Sequence, residues 1–271
     1  MSSSACWLVI LSGLTMAAIA SSAVHEHLPE VPNPVPPSLQ PKQPPSSTDF
    51  VLRQNGIEPG SEKARILLEW FERIRRNPAI QRRIPGGVEA LHQVLSDTNR
   101  RDSLMRNGLV RLSASDRLRY LKIYTRIVDN LVPVNCFGMS DMGDVLDRIA
   151  LGAMDAADVA EYLDLLYKVI VSSTSTAPVR TPTLRQYKLA EAKLTQALML
   201  VMGRDQHQID RYQFYALHPF AATPADMCWA TRVTLHAIGA MPDPYRDYIL
   251  LPAITGSGYT APAHDDKSGS P

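Results

Sequence analysis

The chain is expected to form an all-α, multi-helix, bundle-like single domain closed by one disulfide and containing no sheet. Three observations lead to this. Apolar residues recur at three-to-four spacing almost throughout 61 to 251. No stretch sustains the two-residue alternation of a strand bounded by turn signals. Two cysteines, Cys136 and Cys228, follow the N-terminal leader, and an even pair in an exported chain reads as a bridge before it reads as a metal site or a nucleophile.

The leader comes first. Trp7 to Ala20 is an apolar run of 14 residues ending in small side chains, with Ala18-x-Ala20 and Ser21-x-Ala23 both shaped for cleavage. It is read as a secretory signal over 1–23, although its n-region carries no Lys or Arg. An uncleaved anchor is the alternative, and it meets a run well short of the ~20 residues that span a bilayer. Cys6 precedes the run, so it is not placed for lipid modification. No later segment is long and apolar enough to cross a membrane.

Between Pro29 and Pro45 lie eight prolines in 17 residues. That density forbids helix and favours extended polyproline-like chain, so 24–57 is expected to be a proline-rich, semi-rigid, disordered tether. The folded domain is then expected over 58–254.

Its first helix is placed at about 61 to 76. Ile66, Leu67, Trp70, Phe71 and Ile74 share one side, and Glu69 with Arg73 and Glu72 with Arg76 are spaced for ion pairs on others. Shorter helices follow at 88 to 95 and 102 to 107, bounded by Pro85-Gly86-Gly87 and Asn107-Gly108. Ser113 with Asp116 resembles a capping box and opens a long helix that buries Leu118, Leu121, Tyr124, Val128 and Leu131 and stops at Pro133.

Asp155 and Asp158 open the next helix, which turns Val159, Tyr162, Leu163, Leu166 and Ile170 inward. After a polar loop over 172 to 181, a helix from Pro182 to Met202 is expected to bury Leu184, Tyr187, Leu194, Leu198 and Val201, with Gly203 as its stop. Thr223, Pro224 and Asp226 read as an N-cap, an N1 proline and a first-turn carboxylate, placing Cys228 in the first turn of the next helix. A last helix is expected at 244 to 251 and a disordered tail over 255–271. The Cys136–Cys228 bond would close a loop of 92 residues. The chain-entropy model values such a loop at about 4 kcal/mol before strain is subtracted.

Net charge is only +1, but it is unevenly spread. Residues 73 to 126 hold 13 Lys and Arg against 4 Asp and Glu, whereas 127 to 171 hold 2 against 8. Arg73, Arg75, Arg76, Arg82, Arg83, Arg100 and Arg101 are therefore candidates for a patch that takes an anionic partner, such as phospholipid headgroups, an acidic glycan or an acidic protein surface. The structural alternative is that the basic and acidic halves pack together and neutralise each other. Little aromatic interleaving and the export signal argue against nucleic acid.

Other constellations are weaker. The histidines form no HExxH and no cluster on one helix face, and His25 with His27 near a mature N-terminus would be the one place for copper or nickel. No metal or cofactor is expected. Asp141, Asp144 and Asp147 recur every three residues, which paired-carboxylate hydrolysis would need, but a solvated acidic face produces the same spacing. No Gly-x-Ser-x-Gly elbow, Ser-x-x-Lys or phosphate-binding glycine loop is present. Tyr212, Phe214, Tyr215, His218, Pro219 and Phe220 make the densest aromatic stretch, suited either to binding or to an irregular segment packed on its neighbours. Trp70 and Trp229 lie on helical patterns and read as core.

The expectation is an exported periplasmic or secreted protein that acts through helix surfaces in binding, scaffolding or inhibition, with another envelope or secreted protein as its partner. An envelope hydrolase or toxin-like enzyme with a dispersed site, and a periplasmic chaperone or assembly factor, are the alternatives.

Overall fold

The computed structural model describes residues 47–256. The expected signal over 1–23, the tether up to Ser46 and the tail from Ser257 lie outside the described residues. Twelve α-helices and no strand are found among the described residues. The all-α architecture expected from the spacing of apolar residues is what the chain adopts.

Helix α1 (Ser47–Gln54) falls inside the segment read as tether, so ordered structure starts earlier than expected. Its Leu52, together with Ile57 just beyond, is buried in the core. Two apolar positions are too few for a periodicity signal. The loop after α1 is fixed by contact with a distant turn, where the Gly152 N–H donates to the Asn55 carbonyl at 2.8 Å. A Cβ on Gly152 would collide with the Gly56 carbonyl, so glycine is required there for the two backbones to meet.

Helix α2 (Glu62–Arg76) is capped by Ser61, whose Oγ accepts from the Ala64 N–H at 3.2 Å. It buries Ala64, Leu67, Trp70 and Ile74. Helix α3 (Pro78–Arg83) was not anticipated. Asn77 caps it and Pro78 opens it, but six residues give no repeating stripe. Helices α4 (Gly87–Ser96) and α5 (Thr98–Leu109) meet at Asp97, which ends one and caps the other, so α5 begins four residues before its apolar pattern does.

Helix α6 (Ala114–Leu131) is capped by Ser113, as expected. A turn at Cys136–Gly138 and the short α7 (Met142–Asp147) lead to α8 (Ala156–Ser173), capped by Asp155. Helix α9 (Leu184–Val201) starts from a full Thr183–Gln186 capping box. Leu184 and Val201, expected inside, are exposed. The buried row instead runs Tyr187, Ala190, Leu194, Ala197, Leu198 and then Met202, because the small alanines let the neighbouring helices close in on that face.

Helix α10 (Gln206–Leu217) converts the aromatic stretch into helix, capped by Asp205 and burying only Ile209 and Tyr212. Helix α11 (Pro224–Ala240) has the expected Thr223 cap and N1 proline. Helix α12 (Tyr245–Thr255) continues through Pro252, where the sequence suggested a stop.

Two helices organise the packing. α8 contacts α2, α5 and α6, while α11 contacts α9, α6 and α12, so α6 belongs to both groups. α5 also touches α12, and this ties the halves a second time. α5 crosses α8 so closely that a Cβ on Gly108 would overlap the Val169 carbonyl oxygen. Cys136 and Cys228 join the turn after α6 to the second turn of α11, with Cα atoms 5.7 Å apart and both side chains fully buried.

Candidate functional site

The uneven charge resolves into contacts between helices. Along the α6–α8 seam, Arg126 donates to Asp158 at 2.8 Å and to Glu161 at 2.6 Å, Arg119 Nε lies 3.3 Å from Glu161, and Lys168 Nζ lies 2.7 Å from Asp116. Burial opposes ionisation of Asp116, yet hydrogen bonds from Lys168 and Ser113 outweigh it and hold the carboxyl below its usual range. Basic and acidic halves thus pack face to face and neutralise each other.

The seven arginines of the expected anionic patch are dispersed by this packing. Arg101 is buried at 6% exposure, with its guanidinium near the Leu95 carbonyl, Asp102 and Asp147, so it belongs to no surface patch. Arg75 and Arg76 both pair with Glu72, and Arg100 with Asp97. Arg73 reaches Asp164 on α8 at 3.3 Å and lies 4.2 Å over the Tyr167 ring. Arg82 and Arg83, at the end of α3, are exposed. Helix register decides three of these outcomes, where i,i+3 and i,i+4 acids pair with Arg75, Arg76 and Arg100, and packing between helices decides Arg73 and Arg101.

Where α2 leans on α8 a groove of about 620 Å³ opens. One wall carries Arg65, Ile66, Glu69, Trp70 and Arg73 from α2. The other carries Ala156, Ala157, Ala160, Leu163 and Asp164, with the Asp155 cap at its end. The groove exists because three alanines occupy the α8 side where larger residues would have filled the gap. Its floor is apolar, and both arginines of its rim are paired, Arg65 with Glu69 at 2.7 Å and Arg73 with Asp164, while Glu62 adds a further carboxylate to the α2 wall. Trp70 is 2% exposed, and its Nε1 is buried without a hydrogen-bond partner. Of the seven arginines singled out in the sequence, Arg73 alone lines this groove. A second hollow of about 540 Å³ adjoins it on α2, beside Gly60, Ala64, Leu68 and Arg76, and the row Arg65, Glu69 and Arg73 borders both. The small-residue spacing Ala156, Ala157, Ala160 was visible in the sequence and went unread, because a gap is a property of two elements.

The other constellations resolve as structural contacts. Asp141 caps α7 by accepting from the N–H groups of Gly143 and Asp144, while Asp147 lies 3.9 Å from Arg101. Among the described residues no group of three or more His, Cys, Asp or Glu is arranged to hold a metal ion, and no helix is long and apolar enough to cross a membrane. In the aromatic stretch, Arg211 lies 4.3 Å over Trp229 and bonds Asp226. Asp226 also accepts from the Thr223 N–H and hydroxyl. Although burial opposes its ionisation, these bonds lower its carboxyl to about 2. Phe214, Leu217 and Phe220 of the same stretch remain exposed.

No known protein family model, curated protein or solved structure matches the chain.

Proposed function

We propose that this chain is an exported, non-enzymatic binding protein whose contact surface is the groove between α2 (Glu62–Arg76) and α8 (Ala156–Ser173). One observation carries the reading: an apolar floor lies open between walls whose two arginines, Arg65 and Arg73, are already paired with carboxylates. Such a groove suits an extended or helical segment of low charge. It suits an anionic ligand poorly, because an anion would have to break Arg73 from Asp164 or Arg65 from Glu69 to gain a cation. The groove has the size of a peptide or small-molecule site, and its apolar floor of Ile66, Leu163 and the α8 alanines is rimmed by charged side chains that would orient what lies on it.

Two further features support the reading. The carboxylates held low, Glu72, Asp116 and Asp226, lie on three different helices and are each tied into ion pairs, whereas a hydrolytic site needs shifted groups that converge on an open cleft. Export is supported by the apolar leader of residues 1 to 23 and by the Cys136–Cys228 bridge, since such bonds persist in oxidising compartments.

The test places a photoreactive amino acid at Ala157, in the groove, and as a control at Lys122, an exposed position on α6. In the native compartment, Ala157 is expected to yield a discrete adduct with another protein or with another segment of this chain, and Lys122 none. Equal labelling from both positions, or none from Ala157, overturns the groove as the contact surface. Recovered chain that still begins at Met1 overturns cleavage of the leader.

A further inference from the structure

We infer that the loop over residues 174–183 is a site of limited proteolysis, cut after Arg180 by a protease that selects basic residues, and that the cut protein persists as two chains joined by Cys136–Cys228. This is independent of what the α2–α8 groove binds.

The first argument is the backbone. Residues 174–183 join α8 to α9 and are the longest run without a helix among the described residues. A protease takes its substrate as an extended strand, so it needs N–H and C=O groups that no helix or turn has claimed. From Pro178 to Pro182 no backbone group bonds another protein group among the described residues. The other basic residues outside the helices there are Arg111, Arg148 and Arg204, and each has its N–H bonded in a turn, to the carbonyls of Gly108, Val145 and Met199. Arg180 thus combines a cationic side chain with an unclaimed backbone.

The second argument is display. Val179 packs against the core and Pro182 is buried, so the loop is pinned at two points, and Arg180 and Thr181 stand exposed between them. Arg180 has no ion pair among the described residues, which leaves its guanidinium available to an acidic specificity pocket. Hydrolysis adds water at the Arg180 carbonyl carbon and breaks the bond to the Thr181 nitrogen, leaving a carboxylate on one side and an amine on the other. Neither adjoining helix is touched: α8 ends at Ser173, and Thr183 Oγ1 still accepts from the Gln186 N–H at 3.3 Å to cap α9.

The third argument is what holds the pieces. α8 packs on α2, α5 and α6, whereas α9 packs on α11 and α12, so the loop passes from one group of helices to the other. A cut after Arg180 leaves α1 to α8 in one chain and α9 to α12 in the second. Cys136 belongs to the first and Cys228 to the second, so the bridge spans the cut. The same two pieces share the Arg117–Asp247 pair at 2.7 Å, the His236–Asp129 contact at 2.9 Å, and the bonds from Arg232 to the Val128 and Val132 carbonyls. None of these contacts passes through the loop, so the fold survives its opening.

The experiment has two arms. In the first, the full chain is treated briefly with trypsin, and cuts within residues 47–256 are mapped by mass spectrometry. The earliest is expected after Arg180. Its products should run as one species without reductant and as two with dithiothreitol, and the helical spectrum should stay in place. Arg180→Gln should slow this cut about tenfold or more, while Arg204→Gln leaves its rate unchanged. In the second arm, protein recovered from its native compartment is expected to contain a chain that begins at Thr181. An earlier cut elsewhere in 47–256, a loop that trypsin leaves whole, products that part without reductant, or native protein that is continuous from Arg180 to Thr181 overturns the inference.

Discussion

Arg117 on α6 and Asp247 on α12, 130 residues apart in the chain, meet in a two-point ion pair: Nε lies 3.0 Å from Oδ1 and Nη2 2.7 Å from Oδ2. Both side chains are largely buried, at 9% and 15% exposure. The remaining nitrogen of Arg117 donates to the carbonyls of Val110 and Leu112, so one guanidinium holds α6, α12 and the loop leaving α5. Asp247→Asn or Arg117→Met leaves a charge buried without its partner and is expected to cost about 3–5 kcal/mol in urea unfolding. Arg117→Met combined with Asp247→Leu should recover much of that loss, and a double variant no better than the single ones would contradict the assignment.

Two glycines on helices are expected to respond in opposite directions to alanine. Gly108→Ala puts a methyl group into the Val169 backbone where α5 crosses α8, and a loss of about 1–3 kcal/mol should follow. Gly239→Ala on α11 meets nothing within 4 Å and removes a flexible residue from a helix, so a gain of up to about 1 kcal/mol is expected. Thermal unfolding of the two variants side by side is the measurement, and equal shifts would show that the helix crossing is looser than described.

The Cys136–Cys228 bond closes 92 residues. Cys136→Ala with Cys228→Ala should lower stability by about 2–5 kcal/mol. Dithiothreitol should shift the urea midpoint of the unmodified chain in the same direction and leave the double variant unmoved.

Asp226 sets a pH dependence. Burial works against its charge, but Thr223 and Arg211 bring the folded carboxyl to about 2, below its ordinary value near 4. A depressed carboxylate stabilises the fold above the unfolded value and loses that contribution as pH falls from about 4 to 2. The amount is on the order of 2 kcal/mol. Asp226→Asn should lower stability at pH 7 and flatten the profile between pH 4 and 2. An unchanged acid limb would mean that other groups dominate there.

Much of the secondary structure could be read from local chemistry. Ser113, Asp155 and Thr223 open helices where they were expected to, because a hydroxyl or carboxylate that accepts from N–H groups two or three residues on is a matter of a few adjacent residues. Helices α1, α3 and α10 escaped for the converse reason. Each buries only one to two side chains, so the stripe that marks a longer helix never accumulates. Pro252 shows the limit of a stop signal. α12 carries it inside the helix with Leu250, Leu251 and Ile254 buried around it, and the packing of that end outweighs the lost backbone bond.

The site was less legible. Seven arginines in 29 residues look like a patch in one dimension, but which of them stay available depends on what stands opposite. Arg101 is covered by α8 and its neighbours, Arg73 is bound to Asp164, and Arg75 and Arg76 share Glu72. The cysteine pairing, by contrast, needed only a count once Cys6 was set aside with the apolar leader: two remaining candidates allow one bond.

Residue order alone therefore settled helix type, most helix starts and the choice of sulfur partners, since each depends on neighbours along the chain or on counting. Charge availability and the groove came from assembly. Ala156, Ala157 and Ala160 are unremarkable small residues until α2 is laid across them, and a cavity has no existence in either helix by itself. Burial, pairing and empty space are relations between segments distant in the chain, and packing alone brings those segments together.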